Sequence, residues 1–366
     1  MKLQHIELKK LEIPFHVAFK HTSATRTTTE TVIAVAHSDN NIIGYGEGCP
    51  RSYVTGESIA SCMDFAAAHH QSILTINNIQ ALRTFVAANQ SAIDKNPAAW
   101  CAIETAILDL LGKLKDTSIE AVMGLPEIEK VFNYTAVLGI SNPNIFSTHL
   151  KQHIQNGFND FKIKISGDFS SDTANIAAIR AARPEAKIRL DANNLWNDVE
   201  EATSYLKSLP PKFWAIEEPI IVRDYDGLKI LANRLSCKII LDESFLNVKD
   251  FKHLSADSDI WIPNIRISKM GGLIRSIDVA KECRNLNMRF IIGAQVGETS
   301  LLTRTALSLA NAYRDVLIGQ EGAYGTLLLQ YDITERPLMF GKNGVMKWNT
   351  NGTGLGLHIE QIALGK

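Results

Sequence analysis

From about residue 130 the chain repeats one unit, a short apolar strand followed by a helical stretch. The strands read as "VFNYTAVL", "DFKIKIS", "KIRLDANN", "FWAIEEPI", "KIILDES", "IWIPNIRIS", "RFIIGAQ" and "VLIGQEG", eight in all. Strands joined by helical crossovers run parallel and need cover on both faces. Eight such units fit a β/α barrel. A doubly wound sheet would alternate in the same way. The two differ in where polar residues fall. Here acids and bases collect at the C-terminal end of strand after strand, where a barrel keeps its active face. Residues 128–332 are therefore predicted to form a barrel.

Residues 1–127 read differently, with strands first and helices after. "LQHIELKKLEIPF" alternates and stops at Pro14, and "TVIAVAHSDNNIIGYGEG" reads as a hairpin turning at Asp39, Asn40 and Asn41. Gly44, Gly46 and Gly48 lack the strand-turn-helix context of a dinucleotide fingerprint, so they read as strand-end glycines. In "PAAWCAIETAILDLLGKLK", Trp100, Ile103, Ile107, Leu110, Leu111 and Leu114 recur at steps of three and four, which predicts a helix with one buried stripe. This part is predicted to be an α+β capping domain. The turn-rich segment 333–366 is expected to pack back on it.

Composition excludes some partners. A net charge of −1 makes nucleic acid and anionic membrane poor partners. The start "MKLQHIELKK" has no apolar stretch of signal-peptide length, and a soluble cytoplasmic protein is expected. The five cysteines are scattered without a CxxC pair, as expected for reduced, mostly buried thiols.

Three strands end in acids, namely Asp191, Glu217 and Asp242, spaced 26 and 25 residues apart. That spacing is one strand-helix unit, so adjacent barrel strands would set the three carboxylates side by side. Unpaired, they would repel one another in a partly dry pocket. A hard divalent cation resolves this, and Mg²⁺, with Mn²⁺ as a substitute, suits oxygen ligands with open positions for water or substrate. Asn193 lies two residues past Asp191 on the same side, where it can help position the site. Glu218 and Glu243 point away by alternation and read as supports for the metal ligands.

Lys162 and Lys164 alternate on the strand just before these three. Lys-x-Lys followed by Asp, Glu and Asp at the ends of the next three strands resembles the enolase superfamily. It is more closely similar to the muconate-lactonizing subgroup, which includes cycloisomerases, dipeptide epimerases and succinylbenzoate synthases. "IIGYGEG", "YVTGE" and the glycine pair of "KMGG" fit as well, and the likeness covers nearly the whole chain. The resemblance implies an α/β fold, a modified (β/α)8-type barrel under an α+β cap, with one Mg²⁺ and homo-oligomers. It also implies removal of a proton α to the carboxylate of a small acid. Lys164 would be the base and Lys162 its partner. Nearby positive charge favours the neutral amine that such a base requires.

Two positions depart from the subgroup. The family commonly carries a second lysine on the sixth strand, in an Asn-x-Lys run, and here "NIRISKMGG" has Arg266. Arginine stabilises an enediolate or grips a carboxylate but is a poor proton acceptor. Lys269, three residues on, should face away by strand alternation unless the chain bends before the glycines. The Asp-x-Asp with which dipeptide epimerases hold a substrate ammonium is also absent from the eighth strand. "GQEGAYG" offers the single Glu321, more like a cycloisomerase. Glu298 ends the seventh strand and can bind substrate or relay a proton. Arg26, Arg51 and Tyr53 fall on the two cap segments that cover the pocket in this family, where loops set specificity.

The leading expectation is an Mg²⁺-dependent isomerase or lyase with cycloisomerase-like one-base chemistry. A dipeptide epimerase or N-acyl amino acid racemase is the alternative. A non-catalytic binding protein on the same fold is a further one, opposed by the intact lysine pair and acid triad.

Overall fold

The structure is a computed structural model. It describes residues 2–21, 24–349 and 352–360, with the side chains of residues 19–25 outside the description. The chain opens with β1 (Leu3–Leu11), β2 (Pro14–His21), β3 (Ala24–Thr28), β4 (Thr31–Ser38) and β5 (Ile43–Gly48). The strands β1, β4 and β5 form one antiparallel sheet, and β2 with β3 forms a separate hairpin. The cap segment that carries Arg26, expected to be a loop, therefore contains the strand β3.

Five helices follow: α1 (Ile59–Ile73), α2 (Ile79–Ala88), α3 (Gln90–Lys95), α4 (Pro97–Leu114) and α5 (Ile119–Met123). The three glycines of β5 are explained by α4. A Cβ at Gly44, Gly46 or Gly48 would lie 2.2, 2.1 and 2.0 Å from the carbonyl oxygens of Ala106, Ala102 and Ala98. Only a strand without side chains lets the helix backbone come so close. They are thus helix-packing glycines rather than strand-end ones. Likewise α4 is buried on every face from Pro97 to Gly112, not on one stripe. Sheet covers one side of it, and barrel elements and the C-terminal segment cover the others.

The first predicted barrel strand divides in two. The strand β6 (Val131–Asn133) pairs antiparallel with a strand near the C-terminus, and β7 (Ala136–Leu138) enters the barrel. Then come α6 (Pro143–Gln155), β8 (Asp160–Lys164), α7 (Phe169–Ala182), β9 (Lys187–Asp191), α8 (Val199–Ser208), β10 (Phe213–Glu217), α9 (Tyr225–Leu235), β11 (Lys238–Leu241) and β12 (Trp261–Ile265). The short α10 (Ile267–Met270), α11 (Leu273–Asn285), β13 (Phe290–Ile292), α12 (Ser300–Ala312), β14 (Leu317–Gln320) and β15 (Val345–Lys347) complete the order. The strands β7 to β14 make one eight-stranded sheet in sequence order. Its two edges meet where the Thr135 N–H donates to the Gln320 carbonyl at 2.8 Å. Inside, Ala215, Ile240, Ile262 and Ile291 form an apolar layer below the strand ends.

The N-terminal elements are fastened to the barrel by buried polar contacts. Glu47 accepts from the Thr299 N–H at the start of α12, and Glu104 accepts from the Ile274 N–H in the first turn of α11. Arg304 of α12 makes two parallel bonds of 2.9 and 3.0 Å to Glu120 of α5. The C-terminal segment lies against α4 and α5, with the Leu355 N–H donating to Asp109 and the Ile119 N–H to the Gly354 carbonyl. Residues 361–366, included in the tail expected to pack back, lie outside the described residues. All five cysteines are buried free thiols.

Candidate active site

Parallel register fixes the centre of the site. Lys162 and Lys164 stand opposite Arg189 and Asp191 on the neighbouring strand, and Asp191 stands opposite Glu217 on the next. Because side chains alternate with period two, all five project to the same inner side. The Lys162 ammonium sits 3.1 Å from Asp191, 2.7 Å from Glu217 and 3.3 Å from Glu321. Burial works against its charge, but those three carboxylates outweigh burial and hold it well above its ordinary pKa. Lys162 is thus a fixed cation.

Lys164 Nζ lies 3.1 Å from Asp191 and donates to Asn193 Oδ1 at 2.5 Å. Asn193 can reach back because the chain turns through left-handed backbone at Asn193 (φ +45°) and Asn194 (φ +57°), a conformation that asparagine tolerates better than most residues. Burial raises the Asp191 carboxyl, yet Lys162 and Lys164 pull it well below its usual range.

Asp242 follows β11 directly, and two cations converge on it. Arg266 pairs with its Oδ2, and Lys269 Nζ lies 2.8 Å from its Oδ1. Lys269 does not face away, as alternation along a strand would require. The strand ends at Ile265, and the helical turn α10 carries Lys269 back under Asp242. Its ammonium also donates to the carbonyls of Asp242 and Asn264, both at 2.8 Å, so it is a buried strut and does not open onto the pocket. Arg266 Nη1 donates to Gln295 Oε1 at 2.9 Å. Glu218 points away from the centre and ties two strand ends together, accepting from the N–H groups of Asp242 and Ser244 at 2.7 Å each.

Among the described residues, no three His, Cys, Asp or Glu side chains stand close enough to close a metal shell. The carboxylates pair with cations instead, Asp191 and Glu217 sharing Lys162, Asp191 also meeting Lys164, and Asp242 meeting Arg266 and Lys269. The donor set still fits a hard divalent ion, being all oxygen, anionic and carried on three successive strands. Glu217 Oε2 supports this: among the described residues it is buried with the Lys162 ammonium at 2.7 Å as its ion-pair partner and no further hydrogen bond, which leaves a lone pair for an ion. Burial pushes the Glu217 carboxyl up to about 8, with Asp191, Glu321 and Asp242 adding to the push that Lys162 opposes.

The remaining predicted residues separate into two groups. Glu321 is at the centre, between Lys162 and Arg189 Nη2 (2.7 Å). Glu298 accepts from the Gln295 N–H at 2.6 Å, and burial pushes its carboxyl up to about 8. Arg51 is not free to bind substrate. Its guanidinium is buried and donates to the carbonyls of Glu30, Pro50, Thr29 and Val296, which pins the N-terminal elements to the end of β13. Arg26 pairs with Glu30 and lies 5.7 Å from the Tyr53 ring.

Arg189, Asn264 and Gln295 were not anticipated. Arg189 is fully buried under Glu321, and Asn264 donates to Glu217 Oε1 at 3.2 Å. Both had a signal, since each lies two residues before a predicted site residue on the same strand face. Gln295 follows the end of its strand and had none.

Comparison with known proteins agrees with this geometry. Residues 146–363 match the family model described as enolase C-terminal domain-like. The chain is 27% identical over 319 residues to the hydrophobic dipeptide epimerase of Enterococcus faecalis, covering 86% of this chain and 89% of that one. It is 25% identical over 383 residues to muconate cycloisomerase 1 of Acinetobacter baylyi, covering 98% and 97%. Among solved structures, the dipeptide epimerase from Enterococcus faecalis complexed with Mg and the dipeptide L-Leu-L-Tyr superposes with a TM-score of 0.88 at 24% identity, covering 98% of this chain and 99% of that one. The family match spans well over half of the sequence and carries both the strand-end acids and the lysine pair, so the chain belongs to the enolase C-terminal domain-like family and is an enolase-superfamily enzyme, related to dipeptide epimerases and muconate cycloisomerases.

Proposed function

We propose that this enzyme removes a proton α to the carboxylate of a small acid with a single base, Lys164, and completes an isomerisation or elimination on that same face. The observation that carries this reading is the pair of residues on opposite strands. A lysine side chain such as Lys164 has the chemistry of a base, whereas on the opposite strand stands Arg266, half-buried and paired with Asp242, and an arginine is effectively never deprotonated.

Asp191, Glu217 and Asp242 would hold Mg²⁺, for which Mn²⁺ can stand in. When bound, the ion supplies compensation for the second negative charge that develops on the substrate carboxylate as the proton leaves. Lys164 takes the proton at Nζ, with Asn193 Oδ1 orienting that nitrogen. Lys162, a fixed cation, adds positive potential on the lysine side. Arg266 adds it on the other side and anchors an anionic oxygen without accepting a proton. Arg26 and Tyr53 are the groups from the N-terminal elements proposed to meet the distal end of the substrate.

The test is α-proton exchange in D₂O with Mg²⁺ over a panel of N-acyl amino acids, dipeptides and muconolactone, followed by NMR and, where the α-carbon is a stereocentre, chiral analysis. Exchange with retained configuration, lost by a factor of about 10² or more in Lys164→Ala, is expected. Parent-level exchange in Lys164→Ala would refute the base assignment. The second reading, epimerisation of a dipeptide or N-acyl amino acid, is favoured by the epimerases among the relatives. Inversion at the α-carbon would establish it over the one-base reading.

A further inference from the structure

The side of the site facing the lysine pair contains a second built feature. Gln295 is 2% exposed, and its Oε1 accepts from Arg266 Nη1 at 2.9 Å. A guanidinium can only donate, so the oxygen end of the amide must face Arg266. The nitrogen end is therefore turned the other way, and Gln295 Nε2 is buried with no hydrogen-bond partner. Arg266 Nε is also buried without one. A buried donor left unpaired is costly, so one beside a candidate site calls for a partner that the protein itself does not supply.

The backbone around Gln295 holds it rigidly. Its N–H donates to Glu298 Oε1 at 2.6 Å, and the Glu298 N–H donates back to the Gln295 carbonyl at 3.1 Å. The next residue, Val296, is gripped through its carbonyl by Arg51 at 2.6 Å. Gly297 follows at φ +90°, and a Cβ there would lie 2.9 Å from Phe15 and 3.0 Å from Thr29. The N-terminal elements thus press directly on this segment and fix the height of the Gln295 amide over the barrel.

We propose that Gln295 is a substrate-contacting residue. Its Nε2 and the Arg266 guanidinium form a donor-only receptor for an acceptor oxygen of the substrate, a carboxylate or acyl carbonyl, on the face opposite Lys164. The inference rests on the one-base reading and sharpens it, because neither group on that face takes a proton. It also selects substrates. An acid with an acceptor oxygen on this side is bound, and one presenting an ammonium there is rejected.

The test uses the full-length parent with Mg²⁺ in D₂O and the N-succinyl and N-acetyl amino acids, dipeptides and muconolactone as probes. The member handled fastest is carried forward. Gln295→Glu keeps an acceptor for Arg266 but replaces the donor with a second acceptor, and Gln295→Met removes both at similar volume. KM is expected to rise at least tenfold in each. Lys164-dependent exchange should survive at saturating substrate, and the thermal midpoint should stay near that of the parent. A KM within twofold of the parent in Gln295→Glu overturns the proposal. So does a fall in kcat at unchanged KM, or loss of fold in both variants, either of which would make Gln295 purely structural. If no panel member exchanges its α-proton even in the parent, the one-base reading itself fails.

Discussion

Replacing Arg189 by methionine tests whether the charges under the site are held as a network. Arg189 is fully buried, donates to Glu321 at 2.7 Å and to Thr135 at 3.2 Å, and pairs with Asp160 at 3.4 Å. Methionine fills much of the volume but strands Glu321, which stays buried. Removing one partner of a buried ion pair costs about 3–5 kcal/mol. Lys162 remains 3.3 Å from Glu321 as a second counter-charge, which places the expected loss at the low end, about 3 kcal/mol. With a urea dependence of about 3 kcal/mol per molar, the unfolding midpoint should fall by about 1 M. The assay is urea unfolding followed by tryptophan fluorescence and far-UV circular dichroism, whose transitions must coincide. Adding Glu321→Gln removes the stranded charge, so the double variant should be more stable than Arg189→Met alone by about 1–2 kcal/mol. A midpoint shift under about 0.2 M, or a double variant no more stable than the single one, would refute the network argument.

Three further outcomes are expected. Arg266→Lys places an amine that can lose its proton opposite Lys164, so chiral chromatography after incubation should detect inverted product absent from the parent; retained configuration alone would contradict the one-base explanation. Chelation by EDTA should abolish α-proton exchange, and either Mg²⁺ or Mn²⁺ should restore it; exchange unaffected by EDTA would remove the metal from the mechanism. Burial raises Glu47, Glu57 and Glu104 from 4.5 to about 7 each. The folded state therefore holds these protons more tightly than the unfolded one. Their stabilising contribution is complete below about pH 4.5 and is lost as pH rises through 7. Each group alone should cost about 1.3 kcal/mol between pH 6 and pH 8, and Glu57→Gln should flatten the dependence of the urea midpoint by one such share.

The convergence of the candidate site's central side chains was legible in the sequence because it depends on local periodicity. Lys162 and Lys164 share a strand face by period two, and Asp191, Glu217 and Asp242 recur at the length of one strand-helix unit. Once the strands are parallel and in register, no distant contact is needed to bring these side chains together. Arg189 and Asn264 followed the same rule and could have been read in the same way.

Other features depended on tertiary structure. Lys269 turns under Asp242 because a helical turn begins at Ile267, which strand alternation does not encode. Arg51 is a clamp, and the segment carrying Gln295 is held beside Arg266, because of contacts such as the one between Arg51 and Val296, 245 positions apart in the chain. Gly44, Gly46 and Gly48 take their meaning from α4, which begins about fifty residues later. The sequence determined which strand would carry each charge, since a repeating backbone geometry converts spacing into direction. Only the packed chain decided which charges neutralise one another and which buried donors remain unpaired, because that depends on partners brought together across hundreds of residues.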